Sequence, residues 1–140
     1  MNPTPNRNPK FRGYFKVSKS PFGAFEATEF YFMASGVMIV TGSIKLPSGD
    51  QNLIELNVEL VHGKSNGDFQ VTDGNGRPWA ISLHFDNGGG GGNDFYSADS
   101  GIYEMAYIET AAHLTGKFNF VSIRDEINNE FEGEFNISQG

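Results

Sequence analysis

The sequence predicts an all-β domain: an antiparallel β-sandwich or closed β-barrel of about eight or nine strands. Three observations carry that expectation. Apolar and polar residues alternate with a period of two along most of the chain, the pattern of half-buried strands. Clusters of Gly, Pro, Asn, Asp and Ser separate the alternating stretches. The composition agrees, since 18 of the 140 residues are Gly, 13 are Phe, and only 19% are charged. No stretch reads as a convincing helix and no βαβ spacing appears. A single open sheet would leave one greasy face wet, so two packed sheets or a closed sheet follow.

In chain order, residues 1–9 hold three prolines and three asparagines and read as an extended or disordered lead-in to a single domain over 10–138. Phe11, Gly13, Phe15 and Val17 alternate with Arg12, Tyr14 and Lys16 in a first strand, which Ser18–Pro21 breaks. Ala24–Met33 is aromatic on both parities, so it is either a strand buried on both faces or one whose register cannot be read. Met38, Val40, Gly42, Ile44 and Leu46 form the next greasy parity. After the turn Pro47–Asp50, Ile54, Leu56, Val58 and Leu60 alternate with Glu55, Asn57 and Glu59, completing a hairpin.

His62–Gly67 reads as a loop and Phe69–Thr72 as a short strand. Asp73–Gly76 is a tight turn. Trp79, Ile81, Leu83 and Phe85 then alternate with Ala80, Ser82 and His84. Five consecutive glycines within 86–94 predict a mobile loop, because ordering them costs too much entropy. Tyr103–Ile108 is a strand of mixed parity, and Glu109–Ala112 bends the chain into its final pair.

That pair is the clearest signal. Phe131, Gly133, Phe135 and Ile137 alternate with Glu130, Glu132, Glu134 and Asn136, while Leu114, Gly116, Phe118 and Phe120 alternate with Thr115, Lys117 and Asn119. The polar stretch Arg124–Asn129 joins them. Antiparallel pairing with both greasy faces on one side requires partner numbers that sum to an odd value, and a slip of one residue would bury glutamates. One register of that kind sets Phe118 opposite Phe135 and Lys117 opposite Asn136. Gly-x-Phe recurs at 13–15, 23–25, 67–69, 116–118 and 133–135, a packing device in which a ring covers bare backbone.

The run Ile108-Glu109-Thr110, then Leu114-Thr115-Gly116-Lys117-Phe118-Asn119-Phe120, a polar turn and the closing Gly-x-Phe strand resembles the C-terminal half of small uncharacterised bacterial β-domains. The hairpin at 38–60 loosely fits their middle portion. Members are often secreted or lipid-anchored, so the resemblance implies a β-fold and an envelope or extracellular setting. It brings no activity to transfer. This chain lacks a lipobox cysteine, and its pentaglycine segment has no counterpart in the pattern.

Charge and composition exclude several classes. Net charge is −7 with no run of Lys or Arg, which speaks against nucleic acid or an anionic membrane as partner. With no cysteine there are no disulfides, thiolate metal sites or cysteine nucleophiles. No apolar run is long enough to span a bilayer, and Met1–Pro9 has no apolar signal core. The compartment therefore stays open between an intracellular protein and a mature chain whose signal was removed.

Candidate chemistry is sparse. His62, His84 and His113 are far apart in sequence and form no metal-ligand motif. Asp73 and Asn75 in one acidic loop, and Asp94 and Asp99 in another, supply the oxygens calcium prefers, but turn chemistry accounts for the same residues. The glycine run lacks the Lys-Ser/Thr and helix of a phosphate cradle. Glu104, Glu109, Glu130, Glu132 and Glu134 are conceivable catalytic carboxylates, although a solvated stripe on a half-exposed strand explains the last three. No nucleophile motif or cofactor signature is present.

Trp79, Tyr96, Tyr103 and Tyr107 lie beside loops and are the candidate ligand-binding residues, competing with a core role for the same rings. The resulting expectation is a non-catalytic β-domain that binds a small ligand, glycan or protein through loops at 62–77 and 86–101. The alternative is a structural or assembly subunit, pairing through a sheet face or edge with itself or another protein. Third comes a small carboxylate-dependent hydrolase or isomerase.

Overall fold

Strand parity decides what each sheet buries. In a computed structural model that describes residues 10–60, 63–69, 77–85 and 93–140, the chain folds as two antiparallel sheets packed face to face. The expected lead-in, His62, the turn at 73–76 and the pentaglycine run lie outside the described residues.

The strands are β1 (Phe11–Lys19), β2 (Phe25–Glu26), β3 (Glu29–Ala34), β4 (Val37–Lys45), β5 (Gln51–Glu59), β6 (Gly63–Asp68), β7 (Trp79–Phe85), β8 (Asn93–Ser97), β9 (Ser100–Ile108), β10 (His113–Arg124) and β11 (Ile127–Gln139). One sheet has six strands in the order β2-β1-β11-β10-β9-β6, and the other has five in the order β3-β4-β5-β7-β8. The architecture is a sandwich; neither sheet closes into a barrel.

The final pair forms the predicted hairpin, β10 against β11. Its register obeys the parity rule but is shifted two residues from the example: Phe118 faces Gly133, Gly116 faces Phe135, and Lys117 faces Glu134. Steric fit selects this alignment. A Cβ on Gly116 would lie 2.5 Å from the Phe135 ring, and one on Gly133 would lie 2.6 Å from the Phe118 ring. Each ring therefore occupies the volume the opposite glycine leaves empty. Gly67 is covered in the same way by Tyr103, and Gly42 of the five-stranded sheet by Phe15 of the other sheet.

Two Gly-x-Phe copies work differently: Gly13 and Gly23 have positive φ (119° and 94°) and serve the backbone path. The hairpin turn is narrower than the sequence suggests. Only Asp125 and Glu126 lie outside the strands, both with positive φ (52° and 65°), the signature of a two-residue type I′ turn.

Three expectations are corrected. Gly63–Asp68, read as a loop, is an edge strand paired with β9, and Phe69 is buried just beyond it. Its residues are too polar and too short in apolar alternation to signal a strand. β8 forms within the stretch read as a loop. The unreadable 24–33 stretch is two strands in different sheets: Phe25 pairs with Val17, the chain crosses at Ala27–Thr28, and Phe30 pairs with Gly42. Aromatics on both parities reflect that change of sheet.

Between the layers, rings form a continuous series. Phe15 stacks on Phe135 at 5.6 Å and 12°, Phe118 packs against Phe15, Phe120 and Phe135, and Phe120 stacks on Phe131 at 4.5 Å and 15°. The six-stranded sheet supplies most of these large rings, and the five-stranded sheet answers with smaller residues, large against small. Hence β7 turns Ala80 and Ser82 inward and leaves Trp79, Ile81, Leu83 and Phe85 on the outer parity, only half-buried.

Two stability outcomes follow. Gly133→Ala should lower stability by about 1–3 kcal/mol through overpacking, and Phe118→Leu in the same chain should recover part of that loss, as read from denaturant midpoints. Glu126→Gly should raise stability by about 0.5–1 kcal/mol, because glycine adopts positive φ without the cost a side chain incurs. An unchanged or lowered melting temperature would contradict the type I′ assignment.

Candidate functional site

The parity that buries the rings of the six-stranded sheet turns its polar residues to the opposite face. Register then arranges them in rows. Glu26, Lys16, Glu134, Lys117, Glu104 and Asn66 are successive cross-strand neighbours on β2, β1, β11, β10, β9 and β6. Charge sign alternates along the first five. One adjoining row runs Tyr14, Asn136, Thr115, Ala106, Lys64, and the other includes Glu132, Asn119 and Ile102.

Two solvent-open depressions, of about 870 and 430 Å³, occupy this face. The larger reaches from β2 across to β9, with Phe25 and Ile102 among its apolar contacts. The smaller continues to Lys64, Ser65 and Asn66 on β6. Glu104, Lys117 and Glu134 line both, so the two depressions meet on the central charged row.

Lys117 Nζ lies 3.1 Å from Glu104 Oε2, with the two side chains 71% and 57% exposed. So wet a pair contributes at most about 1 kcal/mol to stability, and its donors and acceptors stay within reach of a ligand. The Lys16 ammonium lies 4.5 Å from the Tyr14 ring centroid, a cation–π contact. At the end of the face, His113 Nε2 lies 2.7 Å from Asn136 Oδ1; an amide oxygen only accepts, so the ring nitrogen donates. Beyond the bulge in β1, the Lys19 ammonium is 2.6 Å from Glu130, and that hydrogen bond and charge raise the lysine pKa.

Chemically, the face alternates cationic donors with anionic acceptors. Lys117 separates Glu104 from Glu134 in the register, so each of these carboxylates has a lysine as its cross-strand neighbour. The arrangement suits recognition of a polar surface.

The sequence-predicted residues do not converge here. Tyr96, Tyr103 and Tyr107 are 8%, 6% and 9% exposed and belong to the core. Tyr107 meets Phe32 edge-on, Tyr103 packs on Phe69, and Tyr96 lies between Phe22, Phe131 and the Arg124 guanidinium. Trp79 is half-buried on the outer parity of the other sheet.

Asp94 accepts from Arg124 at 3.4 Å, and Asp99 Oδ2 accepts the Ile123 backbone N–H at 2.6 Å. Asp73 and Asn75 lie outside the described residues. Among the described residues, no group of three His, Asp or Glu is gathered as for a metal ion. His84 stacks on Phe22 at 4.0 Å and pairs through Nδ1 with Asn52 Oδ1 at 2.5 Å, a polar plug between the sheets.

Lys16, Glu104, Lys117 and Glu134 form the centre of the face. Their signal in the sequence is opposite charge on the outer parity of successive strands, readable only once the register is known. The chain matches no family model, no curated sequence and no solved structure.

On the other sheet, Glu55 stands apart from these solvated carboxylates. Burial raises its pKa, partly offset by the hydrogen bond it accepts from Thr41 Oγ1 at 3.4 Å. A carboxyl whose folded pKa is raised favours folding most when protonated, and that advantage is lost as pH rises from the ordinary carboxylate range through the folded pKa. Glu55→Gln should therefore raise the melting temperature at neutral pH, with the gain shrinking as pH falls below the ordinary carboxylate range. A gain that grows in acid would contradict this sign.

Proposed function

We propose that the protein is a non-catalytic binding module that takes an extended, hydroxyl-rich neutral ligand, such as an oligosaccharide, across the outer face of its six-stranded sheet. The observation that carries this reading is the meeting of two depressions on the row Glu134, Lys117, Glu104. Alternating charges cancel each other's far field, so the face does not steer a polyanion or polycation. They nonetheless leave donors and acceptors side by side, which suits hydroxyls that do both. Tyr14 and Ile102 add apolar contact for a sugar's C–H surface. The site lies on a sheet face, whereas the sequence pointed to loops. An envelope or extracellular setting, as the resemblance of the C-terminal half implies, agrees with exposure to glycans.

Backbone-amide NMR titration with neutral oligosaccharides tests the proposal. Shifts should concentrate on β1, β9, β10 and β11, and Lys117→Ala should weaken binding about tenfold, ~1.4 kcal/mol, without altering the melt. Shifts confined to loops or to the five-stranded sheet, or none with any neutral glycan, would reject it.

A further inference from the structure

The outer face of the five-stranded sheet has the opposite character. Its register rows set Ile39 beside Asn57 and Trp79, Glu55 beside Ile81, and Leu53 beside Leu83 and Phe95. None of these apolar residues is needed to fill the space between the sheets, which faces the other parity. Phe95 is 50% exposed, and so is Met33, next to Ile39, at 54%. Charge lies at the margins, at Glu29, Lys45 and Glu59, and at Glu55 in the middle row, where Thr41 and Ile81 are its register partners.

We propose that this face packs against the same face of a second copy, making the protein a homodimer with its two glycan-type grooves pointing outward. A flat apolar sheet face is best covered by another sheet face, and a second copy supplies one of equal shape. With strands ~4.8 Å apart and ~3.4 Å per residue, five strands of about seven residues give a footprint on the order of 500 Å². Two footprints remove on the order of 1,000 Å², the threshold for a specific pair, and the corrugation of large side chains adds to it. Each copy carries a net charge of −7, and this face sets Glu29, Glu55 and Glu59 against Lys45, so apolar contact has to outweigh a modest like-charge repulsion. Glu55, near the centre, works against the contact, since a second copy would desolvate it further.

Sedimentation velocity of the full chain over a wide concentration range tests the proposal, with circular dichroism confirming that each variant is folded. The wild type should dimerise with rising concentration. Leu83→Lys should weaken the dimer at least tenfold and Glu55→Gln should tighten it. Ile127→Lys, which replaces an apolar residue 63% exposed at the start of β11, should leave it unchanged. A chain that stays monomeric throughout overturns the proposal. So does a dimer that survives Leu83→Lys, as pairing through the edges at β3 or β6 would, or one that Ile127→Lys disrupts equally. Because the charged groove lies on the opposite face, loss of the dimer in Leu83→Lys with retained glycan shifts would separate the two readings.

Discussion

A phenyl ring lying over a glycine on the neighbouring strand is the contact on which most of this structure depends. Phe118 over Gly133 and Phe135 over Gly116 are reciprocal, since each strand contributes one ring and one gap. The exchange has two effects. Rings can lie along the sheet rather than stand off it, which brings Phe15, Phe118, Phe120, Phe131 and Phe135 into one packed series. It also favours this register over the alignment two residues away, which would set Phe118 against Phe135 and leave Gly116 opposite Ile137. The acidic side chains of β11 and the basic side chains of β1 and β10 are thereby brought opposite one another. The charged row on the outer face is thus a consequence of steric fit on the inner one.

The large rings come mainly from one sheet, and the interlayer volume is finite. Across from them the five-stranded sheet must be thin, with Gly42, Ala80 and Ser82 facing inward. β7 meets that demand by reversing the usual assignment, small residues in and large apolar residues out. One outer face is left wet and charged and the other greasy, so a solvent-exposed sandwich carries three apolar sheet faces where two would suffice for folding.

Much of the architecture was legible in the sequence, because alternation with period two records which face of a strand is buried. The hairpins at 37–59 and 113–139, the polar bend after β9 and the parity of the final pair all follow from it. It fails where a strand does not bury one face. β6 is a polar edge strand with hardly an apolar side chain to mark it, and 24–33 changes sheet midway, so its two halves report different faces. The candidate site was less legible. Aromatics beside loops are a reasonable signal for binding, yet here Tyr96, Tyr103 and Tyr107 fill the interlayer space. Lys16, Lys117, Glu104 and Glu134 come from four strands spread over most of the chain, and only the register makes them neighbours.

The third apolar face is the feature that folding alone does not explain. A sandwich already has its hydrophobic driving force in the buried layer, and polar residues at positions 81, 83 and 95 would cost that layer nothing, since their side chains lie on the other side of the sheet. Large apolar residues in register across β5, β7 and β8, half-buried at Leu53, Ile81 and Leu83 and half-exposed at Phe95, bring a standing risk of aggregation. Charge is meanwhile concentrated elsewhere, on the ladder of the opposite sheet and in the lysine and aspartate of edge strand β6, which discourage edge-to-edge growth. Edges guarded by charge with one face left greasy form an arrangement that permits association through that face and resists it elsewhere. Sheet-on-sheet contact between two copies closes at two, because each copy presents the face once, whereas edge pairing could continue without limit.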